Sequence, residues 1–298
     1  DEARAVAHLR GALAAGMAPG ELGTAFAQAA LAHYQDFGHA AIYTVKAVEL
    51  TRSLDREAVG GLLLALVRSL IYASREDLLP EFRFYAEALA SWGRTNGTEP
   101  PPLDSAELLG KPAKAAMRTV AQWSAWRRPL EIYRMLLAAA AAQMLHFDRQ
   151  YEQRIDGPIA DNAGWLDFTH AITFANAGRA LAAADAALWP AVLLQIACFI
   201  GRNAKYVDAA QDTAGWRVAD PARFFAAAAE RLYDHGVGEF IVSAHLLKTT
   251  LAARAEADTA PAAAAGLAAA MNRFLGTPIK RQHALRTAGQ MRDFVAEE

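Results

Sequence analysis

Strong helix formers run through almost the whole of this chain, whereas glycine and proline are concentrated at a few joints. Alanine, leucine, arginine and glutamate recur in nearly every window, and their summed propensities favour helix over strand. At 298 residues and 54% hydrophobic content, the chain can bury a large core. We therefore expect an all-α fold, with residues 1–298 forming one large multi-helix domain.

Glycine and proline also indicate where the helices begin and end. The longest joint, residues 93–104, is dense in turn formers and contains three consecutive prolines, which cannot continue a helix. This linker separates two stretches, 1–92 and 105–298, which are the halves of the domain if it is divided. Helices are expected at about 2–15, 19–31, 33–54 with a break near Gly38, 56–73, 79–92, 105–126, 129–153, 164–184, 188–203, 220–234, 238–256, 261–275 and after Pro278.

Composition and motifs exclude several classes of function. The net charge is −2 with scattered Lys and Arg, which gives no surface for nucleic acid or a membrane. Continuous apolar runs fall short of the roughly 18 residues of a membrane span. A lone cysteine, Cys198, rules out an internal disulfide and suits a reducing, cytoplasmic location. Neither a Gly-x-Ser-x-Gly elbow nor a glycine-rich phosphate loop is present, so a small-molecule partner and the eight histidines become the focus.

Two of these histidines lie in matching contexts. Asp36-Phe-Gly-His-Ala-Ala-Ile-Tyr43 recurs as Asp167-Phe-Thr-His-Ala-Ile-Thr-Phe174, and five of fifteen positions are identical across 36–50 and 167–181. A duplicated helical unit would bring His39 and His170 to equivalent points that face each other. Either histidine alone is more often a core residue bonded to a neighbour, but a matched pair is explained more simply by one shared metal site.

A third candidate lies on a later helix. His245 and Lys248 are three residues apart in an apolar segment and therefore share a helix face. A buried lysine must lower its pKa, pair with a carboxylate or be chemically modified, all of which suit a functional site. The alternative is a lysine at a helix edge that reaches solvent. His33 and His146 are weaker candidates, and three others are expected to face solvent: His8, His235 and His283.

These segments resemble the questin oxidase-like family, helical fungal and bacterial oxygenases that act on anthraquinone-type aromatic polyketides. The stretch from His39 to Glu49 is similar to a family motif of two histidines four apart followed by a glutamate, with Tyr43 in place of the second histidine. The segment Asp167–Thr173 is similar to the family's His-x-x-Thr motif, and His245–Lys248 to its His-x-x-Lys motif. Shorter stretches resemble helical regions of Rieske-domain proteins, although no Cys-x-His pair is present.

The resemblance implies a mononuclear non-haem iron held by His39, His170 and His245, with Lys248 as a carboxylated ligand. Tyr43 leaves three alternatives: the tyrosine ligates the metal, His33 replaces the missing histidine, or the metal has been lost. Imidazole also suits copper, nickel or zinc. Catalytic roles are expected for Lys248, Tyr43 and Glu49, and a substrate pocket is expected at these residues: Phe168, Thr173 and Phe174.

The leading hypothesis is thus an iron oxygenase or oxidase that uses O₂ on a hydrophobic or aromatic small molecule, with an external electron donor if electrons are required. The rival hypothesis is a non-catalytic ligand-binding or partner module of a multicomponent redox system. It predicts that the three imidazoles lie more than about 10 Å apart, whereas ligands of one metal lie near 2 Å from it. A zinc-dependent hydrolase is a third interpretation, which keeps the histidine cluster but needs an open water position.

Overall fold

A computed structural model describes residues 1–94, 97–154, 162–233, 238–277 and 284–296. These residues form α-helices joined by short 3₁₀ turns, without a β-strand, so the expected all-α class is confirmed. The expected solvent-facing His235 and His283 lie outside the described residues, as does Pro278. The helices are α1 Glu2–Ala14, α2 Pro19–Leu31, α3 His39–Leu50, α4 Arg56–Ile71, α5 Tyr85–Ala90, α6 Ala113–Ser124, α7 Pro129–Leu145, α8 Gln150–Gln153, α9 Trp165–Ala184, α10 Trp189–Asn203, α11 Pro221–Tyr233, α12 Phe240–Thr259, α13 Pro261–Gly276 and α14 Ala284–Ala296.

Proline accounts both for the helix starts that were predicted well and for two that were not. Pro19, Pro129 and Pro261 each occupy the first turn of a helix, where the missing N–H has no cost. Helix α5 was expected from residue 79 but begins only at residue 85, because the residue before Pro80 is held in an extended conformation. The helix expected at 105–126 is likewise divided by Pro112, which is extended and precedes α6.

One hydrophobic core spans both sides of the proline-rich linker. Phe82 and Tyr85 from the first stretch are buried in the same cluster as Met117, Ile132 and Phe199 from the second. The two stretches therefore share the main core, which fits a single domain, and a smaller second cluster that includes Leu9, Phe26 and Leu63 lies entirely within 1–92. Helices α7, α9 and α10 lie at its centre, and α3 and α12 both pack against α9.

Helix α10 is the most deeply buried element of the core. The segment Ala186–Tyr206 is long and apolar enough to cross a membrane by length and composition, which the expectation from continuous runs did not anticipate, but 72% of the apolar window lies inside the protein. A helix that is apolar on all sides is typical of a core position as well. Gly201 brings α10 so close to α6 that an added Cβ would lie 2.2 Å from the Cα of Ala113.

Candidate metal centre

Three histidines from three helices meet inside the domain. His39 begins α3, His170 lies in α9 and His245 lies in α12. The Nε2 atom of His170 is 3.0 Å from that of His39 and 3.2 Å from that of His245. All three ligand atoms lie within 4.8 Å of one another, and His170 and His245 are buried.

Backbone carbonyls orient two of the rings. The Nδ1 atom of His39 lies 2.8 Å from the carbonyl oxygen of Asp36, and that of His245 lies 2.6 Å from the carbonyl oxygen of Ile241. Each Nδ1 must carry the proton and donate it, because a carbonyl oxygen only accepts. The Nε2 atoms of both rings are then unprotonated, which is the state and the carbonyl support that histidine ligands of metals ordinarily have.

The third ring, that of His170, cannot pair both of its nitrogens by hydrogen bonds within the cluster. If His170 donates from Nε2 to its neighbours, its Nδ1 is left buried without a hydrogen-bond partner. If the proton is on Nδ1 instead, the lone pairs of the three Nε2 atoms face one another. One cation between the rings would satisfy all three nitrogens. Two ligand atoms about 2.1 Å from an ion, at about 90–110°, lie roughly 3.0–3.4 Å apart, as the two closest pairs here do.

Electrostatics keep the three rings neutral. Burial lowers the pKa of His39 and of His245, and it lowers the pKa of His170 well below its usual range. The charge of Lys248 lowers the pKa of all three further. Metal ions bind neutral imidazole, so the ligand form requires no deprotonation step at neutral pH.

A left-handed turn sets the position of His39. Asp36 and Phe37 have φ values of 50° and 51°, the only positive values at non-glycine residues in the described chain, and Gly38 follows at 74°. A Cβ on Gly38 would lie 2.7 Å from the Phe174 ring. Such backbone conformations cost on the order of 1–3 kcal/mol each and persist where the surroundings enforce them. The turn thus brings α3 against α9 directly before the first histidine.

Residues that the sequence did not single out hold this turn. The carboxylate of Glu76 accepts a hydrogen bond from the Phe37 backbone N–H at 3.2 Å, and burial raises the pKa of Glu76. The guanidinium of Arg202 lies 3.6 Å from the centre of the Phe37 ring. That ring in turn packs at 5.6 Å from the ring of His170 and so covers one side of the cluster. No sequence signal marks Glu76 or Arg202, because both act across long separations along the chain.

Lys248 and Tyr43 flank the cluster. Lys248 is one turn beyond His245 on α12 and is partly buried, which lowers its pKa to about 8. The Tyr43 ring stacks on that of His39 with centroids 5.3 Å apart, and 48% of the residue is exposed. Burial of its hydroxyl raises the pKa of Tyr43, so the neutral phenol is the stable form.

Two predicted site residues lie elsewhere. His33, suggested as a replacement ligand, precedes the left-handed turn, and its Nδ1 lies 3.3 Å from a carboxylate oxygen of Asp77. Glu49 is ten residues beyond His39 on α3, about 15 Å along the helix axis, and forms an exposed ion pair with Lys46 at 2.8 Å. Neither belongs to the histidine cluster. The weaker candidate His146 approaches the backbone carbonyl of Asp208 instead.

The residues expected to line a substrate pocket are packed into the core. Phe168 contacts Phe147, Phe174 contacts Phe199, and the Thr173 hydroxyl donates to the backbone carbonyl of Thr169. None of the three predicted residues borders the cavity of about 310 Å³ that lies between α2, α3 and α9. Glu49 is on the wall of that cavity, at the end of α3 remote from His39.

A second buried polar group joins the helices that carry the histidines. Glu256 of α12 is fully buried and accepts hydrogen bonds from Tyr133 at 2.7 Å, Asn176 at 2.8 Å and Arg179 at 2.9 Å. Asn176 and Arg179 lie on α9, beyond His170, and Glu256 lies on α12, beyond His245. The network therefore fixes the register of the two helices that bring these histidines together.

The repeated Asp-Phe-x-His segment does not have the same backbone in its two copies. Asp36 and Phe37 belong to the left-handed turn, whereas Asp167 and Phe168 are helical, with the Asp167 carboxylate accepting from the Gly164 N–H at the start of α9. The expected pairing of His39 and His170 is present, but Asp36 precedes α3 and is not α-helical, unlike Asp167. The duplication itself stays a prediction.

No family model, curated protein or solved structure matches the chain. Its function is therefore inferred from the cluster itself.

Proposed function

We propose that this protein is a metal-dependent oxygenase or oxidase that holds one transition-metal ion, with non-haem iron as the first ion to test, on His39, His170 and His245. The observation that carries the proposal is the convergence of three Nε2 atoms, two of them kept unprotonated by backbone carbonyls. The resemblance of the histidine segments to questin oxidase-like proteins is the reason for proposing an oxygenase or oxidase. An ion there would activate O₂ or polarise a bound substrate.

The surroundings of the cluster favour a hydrophobic substrate. Phe37 packs against His170, and Tyr43 stacks on His39 with half of its surface exposed. These rings suit an apolar or aromatic compound. The three histidines and Lys248 are the proposed metal-site residues, with Lys248 ligating only if it is carboxylated, and a separate electron donor is proposed if the reaction consumes electrons.

A second candidate function follows from the ligand set. The three clustered ligand atoms are neutral nitrogens, and no carboxylate of the described residues joins them. Three histidines with an open position are a common ligand set of catalytic zinc, whereas many non-haem iron oxygenases use two histidines and a carboxylate. A zinc-dependent hydrolase is therefore the alternative enzyme. The hypothesis of a non-catalytic module predicts imidazoles more than about 10 Å apart. Instead, Nε2 of His170 lies 3.0 Å from that of His39 and 3.2 Å from that of His245.

Metal analysis tests the proposal directly. The protein is purified without chelators after growth with iron, zinc, copper and nickel supplied together, and its metal content is measured by mass spectrometry. We expect about one ion per chain in the wild type and a large loss in His170→Ala. His33→Ala is the matched control, because His33 is outside the cluster, and it should keep its metal.

The identity of the ion separates the two enzyme classes. Iron, together with O₂ consumption in the presence of a reductant and an aromatic substrate library, supports the oxygenase. Stoichiometric zinc without O₂ consumption supports the hydrolase. Wild-type protein that binds none of the four ions after metal addition, while folded by circular dichroism, refutes both.

A further inference from the structure

Lys248 is a partly buried cation without an internal partner. Residues three apart on a helix are neighbours on its surface, so Lys248 lies beside His245. Its ammonium donates no hydrogen bond to the described residues, and none of their carboxylates lies within 4.0 Å of it. The Nζ atom is not fully buried, so the ammonium, without an acceptor among these residues, remains open to a ligand.

The carboxylates that could have paired with it are engaged elsewhere. Glu256 is bound by Arg179, and Glu76 is bound by the Phe37 backbone N–H. Asp36 acts on His39 through its charge but does not reach Lys248. Among the residues that the structure describes, Lys248 therefore has no acidic partner.

A metal ion held by the three histidines would add to the uncompensated positive charge of Lys248. Three neutral imidazoles do not neutralise a divalent ion, so the ion and the ammonium would together bring three positive charges into a partly buried site. A negatively charged ligand is the simplest compensation, because like charges in a site of low dielectric repel strongly.

We infer that the site binds a small organic anion, with an ionised oxygen such as a carboxylate or enolate that accepts a hydrogen bond from Lys248 Nζ beside the three histidines. This inference rests on the proposed metal site and specifies its substrate class. Apolar surface lies on the same face of α12, since Ile241 is seven residues before Lys248, about 10 Å along the helix axis, and is 50% exposed. Tyr43 is exposed beside His39. The ligand is therefore an acid with an apolar body.

Paired probes test this directly. Acetate and benzoate are titrated calorimetrically into the metal-loaded wild type, alongside acetamide and benzamide, which have nearly the same shape but no charge. We expect at least one acid to bind at least ten-fold more tightly than its amide, because a hydrogen bond between two charged groups is stronger than one to a neutral amide. Lys248→Met should reduce that preference, because only the charge of the ion then remains, and Lys248→Arg should retain more of it.

Lys46→Met is the matched control, since it removes a lysine from the exposed surface of α3, and the preference should persist. Metal content is measured for every variant, which separates the two hypotheses. Loss of the proposed function would appear as a wild type without metal. The inference is overturned if metal-loaded wild type binds neither acid more tightly than its amide, or if the preference in Lys248→Met is as large as in the wild type.

Discussion

Gly38→Ala is expected to destabilise the fold and to weaken metal binding, whereas Gly16→Ala should only destabilise it. Both glycines have positive φ, 74° at Gly38 and 84° at Gly16. The space around them differs, because a Cβ at Gly16 meets nothing within 4 Å, and one at Gly38 meets the Phe174 ring at 2.7 Å. The pair therefore separates backbone strain from a steric clash.

The magnitudes follow from those two terms. An L-residue in the left-handed region costs about 1–2 kcal/mol, which applies to both variants. Overpacking against a buried ring adds about 1–3 kcal/mol at Gly38 alone. Alanine also lowers the entropy of the unfolded chain, but equally at both positions, so this effect cancels in the comparison. We expect losses of about 1–2 kcal/mol for Gly16→Ala and about 2–5 kcal/mol for Gly38→Ala.

Urea unfolding followed by circular dichroism measures both losses, with an unchanged m-value showing that the unfolded state is comparable. Metal content is measured on the same samples. Only Gly38→Ala should bind metal more weakly, because His39 directly follows the turn. Equal destabilisation by the two substitutions, within about 0.5 kcal/mol, would refute the role assigned to the Phe174 contact.

Three other predictions concern the core. Glu256→Ala should lower the free energy of unfolding in urea by about 3–5 kcal/mol, because it leaves a partly buried arginine unpaired. Glu49→Ala removes only an exposed ion pair and should cost less than about 1 kcal/mol. Similar losses for the two variants would contradict the role of the Glu256 network. Gly201→Ala should cost more than about 3 kcal/mol, since its Cβ would collide with backbone, and Gly178→Ala, which meets a valine side chain, should cost less. Burial raises the pKa of the Cys198 thiol, so a thiol reagent should react with it only in denaturant, and rapid reaction with the native protein would show that the core opens.

The sequence was informative wherever local chemistry decides the structure. Pro19, Pro129 and Pro261 marked helix starts, and helix propensity gave the fold class. The errors near Pro80 and Pro112 came from giving propensity more weight than the restriction that proline places on its own and the preceding residue. In these two places the helix was predicted too long.

The site was predictable in part. His39, His170 and His245 were chosen from local contexts, and the structure brings them together. His33 and Glu49 were chosen through the resemblance, and they lie outside the cluster. The local sequence could not predict this, because it does not determine which way a side chain faces after a turn. The left-handed turn at Asp36 and Phe37 is enforced by tertiary contacts with Glu76, Arg202 and Phe174, so it could not be read from residues 36–38 alone.

The separation of the three histidines along the chain has a consequence for the order of folding. His170 is 131 residues from His39 and 75 residues from His245, so no single helix or hairpin contains two of them. Contacts over such separations form late, because the chain must first lose the entropy of closing long loops. An unfolded or half-folded chain therefore presents isolated imidazoles rather than a binding site. Metal loading would be the final event of folding, and the rate at which metal is captured during refolding would report on the docking of α12 against α3 and α9.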